Sequence, residues 1–270
     1  MENKIKYTPF LRWAGGKRWL VFKYSHFFPK EYNCYIEPFL GSGSVFFHLI
    51  PNNAILSDYN QDLITTYQVI KEYPNELLKV LKRHARRHSK EYYYEIRSKK
   101  LRSKIEISAR FIYLNRTCFN GIYRVNQQGG FNVPFGERYN VLLDTDDFIG
   151  ISNLLQNKEI ICSDFEKTIQ RAEEGDFLFI DPPYTVTHNN NGFVQYNEKL
   201  FSWEDQVRLA KCAIDAKNRG VLVLLTNANH QKIQELYKDN FELVEVSRYT
   251  SISGKAKSRK SYGELLIKSY

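Results

Sequence analysis

The stretch Phe177-Leu178-Phe179-Ile180-Asp181-Pro182-Pro183-Tyr184 opens with four apolar residues that lack period-2 alternation and then stops at a carboxylate and two prolines. A short apolar run without alternation fits a strand covered on both faces, so it predicts a buried parallel strand whose C-terminal end opens onto a site. The residues that follow suit one task, which is to hold a planar amino group while its nitrogen is attacked. Asp181 accepts a hydrogen bond, and Pro182 offers a carbonyl held in place because the prolines fix φ and supply no competing N–H. Tyr184 presents a ring face on which a base drawn out of a duplex can stack.

The 270 residues are enough for one large core or for a core with an inserted lobe. Cys34, Cys118, Cys162 and Cys212 are far apart and lack the spacing of a metal knuckle or redox motif. They read as reduced thiols of a cytoplasmic protein, and no metal is expected. No signal-peptide pattern is seen, and no apolar run approaches the roughly 18 residues of a membrane span, so no membrane partner is expected. The net charge of +9 is concentrated. From Lys79 to Lys104 eleven lysines and arginines face only Glu91 and Glu95, an excess equal to that of the whole chain. Such a run fits either a footprint for a polyanion or a solvated helix surface. Tyr92, Tyr93 and Tyr94 within it favour nucleic acid.

Upstream, Tyr7 to Lys17 combines aromatics, Gly15-Gly16 and a lysine, and Trp13 and Lys17 are placed to cover a ligand from one side. A strand at Cys34–Glu37, the turn Pro38-Phe39-Leu40-Gly41-Ser42-Gly43 and the apolar segment Val45–Ile50 form the first βα unit of a Rossmann-like fold. A second strand, Ala54–Leu56, leads to Asp58, which fits either a ribose-binding carboxylate or a cap for the helix starting near Asn60. Gln61 to Asn115 carries helical periodicity alone, so the α/β alternation is interrupted by a helical lobe. Ile122–Val125 and Gly130–Val133, flanking Asn126–Gly129, predict a hairpin. There Arg124 is suited to a guanine edge, and Phe119 or Asn120 to the gap left in a base stack; a plain surface hairpin is the competing reading. Strands return at Glu159–Cys162, Phe177–Ile180 and Val221–Thr226, with Phe241–Val246 and Glu264–Lys268 as a closing antiparallel pair around a basic loop. Asp164, at a strand end, is suited to the amino group of an adenine ring. Thr185–Lys199 reads as a mobile loop beside the site.

Taken together, FLRWAGGK, PFLGSG, Asp58, FNGIYRVN with FNVPFG, and DPPY resemble the Dam-type DNA adenine-N6 methyltransferases over nearly the whole chain and in the same order. The resemblance implies a Rossmann-like methyltransferase sheet formed by residues 1–58 and 146–270, with residues 59–145 as an inserted helical and hairpin target-recognition domain. It implies S-adenosylmethionine as cofactor and double-stranded DNA as partner, with adenine methylated within GATC after base flipping. Trp13, Lys17, Asp58 and Asp181 match cofactor-binding positions, Phe39, Gly41 and Gly43 the cofactor turn, and Asp164 the position near the cofactor's adenine. Arg124 resembles the guanine-reading arginine, Phe119 and Asn120 the residues inserted around the flipped base, and Pro134 a thymine contact. Arg12 stands where some relatives place a lysine for the outer guanine. Asp181, Pro182 and Tyr184 carry the chemistry. A monomer is expected, with or without a cognate restriction endonuclease. An RNA adenine methyltransferase and a basic DNA-binding module that no longer uses its cofactor stay open. A nicotinamide-dependent oxidoreductase fits least, because the glycine fingerprint is incomplete.

Overall fold

The computed structural model describes residues 7–121, 123–124, 130–137, 140–185, 201–249 and 261–270. In chain order the elements are α1 (Arg18–Tyr24), β1 (Tyr35–Glu37), α2 (Ser44–Leu49), β2 (Ala54–Asp58), α3 (Gln61–Glu72), α4 (Pro74–Arg87), α5 (Lys90–Ser98) and α6 (Lys104–Thr117). They continue with α7 (Phe148–Leu155), β3 (Lys158–Cys162), α8 (Phe165–Ile169), β4 (Phe177–Ile180), α9 (Trp203–Asn218), β5 (Leu222–Ala228), α10 (Gln231–Tyr237), β6 (Glu242–Tyr249) and β7 (Ser261–Lys268). Several helix starts follow from single residues. Asn60 caps α3 by accepting from the Leu63 N–H at 3.1 Å, and Ser89 caps α5 through the Tyr92 N–H. Pro74 opens α4, where its missing N–H costs nothing. Ser202 and Asp205 form a reciprocal capping box at α9. α1 ends at Tyr24 and passes into a 3₁₀ turn, Ser25–Phe27.

Seven strands, counted among the described residues, run in the order β3-β2-β1-β4-β5-β7-β6. β2–β1, β1–β4 and β4–β5 are parallel, while β7 runs antiparallel to both β5 and β6. All four residues of β4 are buried, as an apolar strand without alternation requires. Tyr35 pairs with Phe177 and Ile36 with Leu178. The order reverses between β1 and β4, the topological switch point at which α/β sheets bind ligands beyond their carboxyl ends. At that edge the chain leaves β1 for the glycine turn and β4 for Asp181.

The chain divides into two compact units. The first comprises Met1–Lys23, Leu40–Asn52 and Asp58–Cys162; the second comprises Tyr24–Phe39, Asn53–Ser57 and Ser163–Tyr270. The core of the second packs Ile36, Leu178, Ile180, Val223, Leu225 and Ile267 of the sheet against Leu209, Ala213 and Ala216 of α9. Each large aliphatic side chain so buried contributes about 1.5–3 kcal/mol as an upper figure. In the first unit, Tyr92, Tyr93, Ile96, Tyr113, Leu114, Cys118, Val133 and Val141 form a helical core. The helical run from Gln61 is present as α3 to α6, uninterrupted by strands. Tyr92 and Tyr93 turn inward: their hydroxyls bond His84 at 2.8 Å and the Val133 carbonyl at 2.9 Å. They offer no stacking surface, and only Tyr94 is exposed among the three. The hairpin turn Asn126–Gly129, the loop residues 186–199 and the basic-loop residues 250–260 lie outside the described residues. On the hairpin's described flanks the Asn132 N–H bonds the Arg124 carbonyl at 3.2 Å.

Candidate active site

In the second unit, the residues after β4 are gripped from three elements. The Thr226 hydroxyl of β5 donates to Asp181 Oδ1 at 2.7 Å. The Tyr184 hydroxyl donates to Glu264 Oε2 of β7 at 2.8 Å. Gln206 Nε2 of α9 donates to the Pro183 carbonyl and the Thr185 hydroxyl, both at 3.3 Å. Gln206 is in turn held by Asn227 Nδ2 at 3.0 Å. Pro182 is buried, while Asp181 and Tyr184 are half-buried. Burial of the phenol end, with the Glu264 and Asp181 charges nearby, pushes the Tyr184 hydroxyl well above its ordinary range, so it stays a neutral donor. The tyrosine is therefore anchored by its tip while part of the residue stays accessible.

Asp164 caps α8 through the Glu166 N–H at 2.9 Å. Both its oxygens also meet Arg208, at 2.8 and 3.0 Å. Arg208 further binds Glu166 and Asp205, and lies 4.1 Å over the Phe165 ring. Burial raises the Asp164 carboxyl, but Arg208 and the Glu166 N–H outweigh it and hold the group below its usual range. Phe39 stacks on Phe165 at 5.5 Å.

In the first unit the glycine turn is built tightly. Gly41 has φ +48° and Gly43 φ +66°, the left-handed region. A Cβ on Gly41 would lie 2.8 Å from the Trp13 indole, and one on Gly43 would lie 2.9 Å from the Tyr67 hydroxyl. Asp58 Oδ2 accepts the Gly41 N–H at 3.0 Å and Oδ1 the Asn60 N–H at 2.9 Å. Burial raises the Asp58 carboxyl, opposed by the N–H groups of Gly41, Asn60 and Tyr59. Asp58 thus holds the turn's backbone, and the capping role at α3 belongs to Asn60. Trp13 stacks on Tyr123 with ring centroids 5.7 Å apart. Lys17 is buried, and its ammonium reaches the Gly15 carbonyl at 2.9 Å.

The same unit brings the DNA-reading candidates together. The Phe119 N–H bonds the Pro134 carbonyl at 2.9 Å. Asn120 adopts φ +57°, and Phe119, Asn120, Arg124 and Pro134 are all exposed. Arg124 Nε is steadied by Asn132 Oδ1 at 3.0 Å. Arg12 packs beneath Gly121, where a Cβ would lie 2.6 Å from its Cδ. Its backbone is clamped by Asn115 through bonds of 2.9 and 2.8 Å. Beneath them, fully buried Arg116 pairs with Asp146 and bonds the Phe10 and Val141 carbonyls.

Thr226, Glu264, Gln206 and Arg208 escaped the sequence reading. Thr226 and Asn227 carried a usable signal, because they are polar in the otherwise apolar strand Leu222–Ala228 and therefore need buried partners. Arg208, on a helix among other charged residues, carried none.

The comparisons with known proteins agree with this architecture. Residues 13–252 match the family described as D12 class N6 adenine-specific DNA methyltransferase. The chain is 39% identical to the Type II methyltransferase M1.LlaDCHI of Lactococcus lactis subsp. cremoris over 279 aligned positions, which cover 100% of this chain and 98% of the relative. It is 35% identical to the Type II methyltransferase M.MjaIII of Methanocaldococcus jannaschii, covering 98% and 100%. With the DNA adenine methylase of Escherichia coli K12 the identity is 32%, covering 97% and 95%. Among the described residues no helix is long and apolar enough to cross a membrane, and no group of three or more potential ligands for a metal occurs. A family match over most of the length, carried by relatives of the same size, makes this chain a member of the D12 class N6 adenine-specific DNA methyltransferases, enzymes that act on DNA.

Proposed function

We propose that the chain moves a methyl group from S-adenosylmethionine to the exocyclic N6 of an adenine flipped out of duplex DNA, within GATC. The observation that carries this reading is the switch point: the glycine turn follows β1 and the Asp-Pro-Pro-Tyr motif follows β4, neighbouring parallel strands in register. The donor set fits the cofactor. A turn in which a Cβ on Gly41 or Gly43 would collide is shaped for close backbone approach, and Trp13 is an aromatic cover beside it. Trp13, Lys17, Phe39, Gly41, Gly43, Asp58, Asp164 and Asp181 hold the cofactor. When bound, S-adenosylmethionine supplies an electrophilic methyl on a sulfonium.

The target amino nitrogen is a poor nucleophile, because its lone pair is delocalised into the ring. Asp181 and the Pro182 carbonyl accept its two N–H bonds, favour a pyramidal nitrogen and stabilise the positive charge that develops there. Tyr184 stacks against the extruded base, offsetting the few kcal/mol of unstacking. Residues 59–145 serve as the target-recognition region. Arg124 reads a guanine edge bidentately, Arg12 the outer guanine, and Pro134 the thymine methyl. Phe119 and Asn120 occupy the space left by the adenine. The exposure of Phe119, Asn120, Arg124 and Pro134, with Phe119 tied to Pro134, supports this assignment.

The test is the DNA of a methylase-deficient host expressing the chain. That DNA should resist a nuclease blocked by adenine methylation at GATC and be cut by one that requires it. Unchanged digestion alongside N6-methyladenine elsewhere would keep the chemistry and discard GATC.

A further inference from the structure

The buried polar side chains around the Asp-Pro-Pro-Tyr motif form a connected set. Thr226, Asn227 and Gln206 are wholly buried and Glu264 is 5% exposed. Polar groups are costly to enclose, and a carboxylate more so. Each of these chains of contacts ends on the segment 181–185. Thr226 donates to Asp181, Glu264 accepts from Tyr184, and Asn227 holds Gln206, which donates to Pro183 and Thr185. The carboxylate and the phenol of the motif are thus each held by a buried polar side chain, Asp181 by Thr226 and Tyr184 by Glu264.

Polarity follows from the inventory of protons. A threonine has one O–H and a phenol has one. An ionised carboxylate only accepts, so the Thr226 proton goes to Asp181 Oδ1 and the Tyr184 proton to Glu264 Oε2, and the first of these bonds fixes rotation of the Asp181 carboxylate about its terminal torsion. That torsion is soft in a free aspartate. Methyl transfer depends on near-attack geometry, so an acceptor that turns freely loses much of its advantage.

We propose that Thr226 and Glu264 are positioning residues for methyl transfer, Thr226 setting the rotation of Asp181 and Glu264 anchoring Tyr184 by its tip so that its ring is presented to the base. This rests on the reading of Asp181 and Tyr184 under the proposed function.

The experiment is steady-state kinetics on a duplex with one GATC. Thr226→Val and Glu264→Leu should each lower kcat about tenfold, the size of one charge-assisted hydrogen bond. KM for DNA and cofactor should stay within about twofold, as expected when an interaction serves the transition state alone. Thr226→Ser and Glu264→Gln, which keep the hydroxyl and an acceptor oxygen, should recover most of the rate, separating positioning from misfolding. In a Tyr184→Phe background, which keeps the ring and removes the donor, Glu264→Leu should cost little more. The same fold loss in both backgrounds, or raised KM at unchanged kcat, overturns the inference. Asp181→Ala and Tyr184→Ala serve as controls. If they abolish turnover while Thr226→Val and Glu264→Leu do not, the positioning roles alone fail. If they leave turnover intact, the catalytic reading fails and takes the inference with it.

Discussion

Acidification should weaken the first unit through one side chain, His84. Its imidazole is 2% exposed on α4, stacked on Tyr113 with centroids 4.9 Å apart, and its Nδ1 lies 2.8 Å from the Tyr92 hydroxyl. Nε2 is enclosed without a hydrogen-bond partner among the described residues. Burial, then the positive charges of Arg83, Arg87 and Lys99, lower its pKa from 6.5 to about 4, with Glu106 opposing. The folded protein resists a proton that the unfolded chain accepts. Stability is therefore complete above pH 6.5 and falls as pH drops towards 4. The full gap corresponds to about 3 kcal/mol, of which about 2 kcal/mol is lost between pH 7 and pH 5. Urea unfolding of wild type and His84→Phe at both pH values isolates the contribution. His48 and His88, also lowered by burial, are present in both proteins and cancel. Wild type should lose about 2 kcal/mol more than the variant over that interval. Parallel losses would refute the reasoning.

Gly41→Ala combines a left-handed φ with a Cβ 2.8 Å from the Trp13 indole. Cofactor affinity by calorimetry should fall at least about tenfold, from about 1–2 kcal/mol of backbone strain plus a displaced indole. Arg208→Leu leaves Asp164, Glu166 and Asp205 facing one another. Because the network is partly exposed, its cost in urea unfolding should be only about 1 kcal/mol, while cofactor affinity drops as Asp164 loses its bidentate partner. Arg116→Met strands the buried Asp146 carboxylate and frees the Phe10 carbonyl, and should cost about 3–5 kcal/mol in the same assay.

The strand that leads into the Asp-Pro-Pro-Tyr motif was legible because its physics is local. An apolar run ended by Asp-Pro-Pro admits few structures, and Phe177–Ile180 is a fully buried strand. The glycine turn was legible for the same reason, since Gly41 and Gly43 adopt backbone angles other residues resist. Asp58 was only half legible. Its position at a strand end was clear, but nothing in sequence told that the Gly41 N–H, 17 residues earlier, would occupy one oxygen. Tyr92, Tyr93 and Tyr94 show a different limit. Helical residues turn by about 100° each, so three consecutive aromatics cannot share a face; two fill the core and one is exposed. The contacts that hold the motif join residues 45 and 80 positions apart. The first depends on β5 pairing with β4 and the second on β7 inserting between β5 and β6, pairings that strand patterns do not encode.

The central claim is that Asp181 carries methyl transfer to adenine N6. It is tested most directly by incubating purified wild type and Asp181→Ala with tritiated S-adenosylmethionine and duplex DNA, then separating the nucleosides. Wild type should place the label in N6-methyladenine. The variant should place none there while keeping wild-type circular dichroism. Label in N6-methyladenine at near wild-type rate from Asp181→Ala would contradict the account.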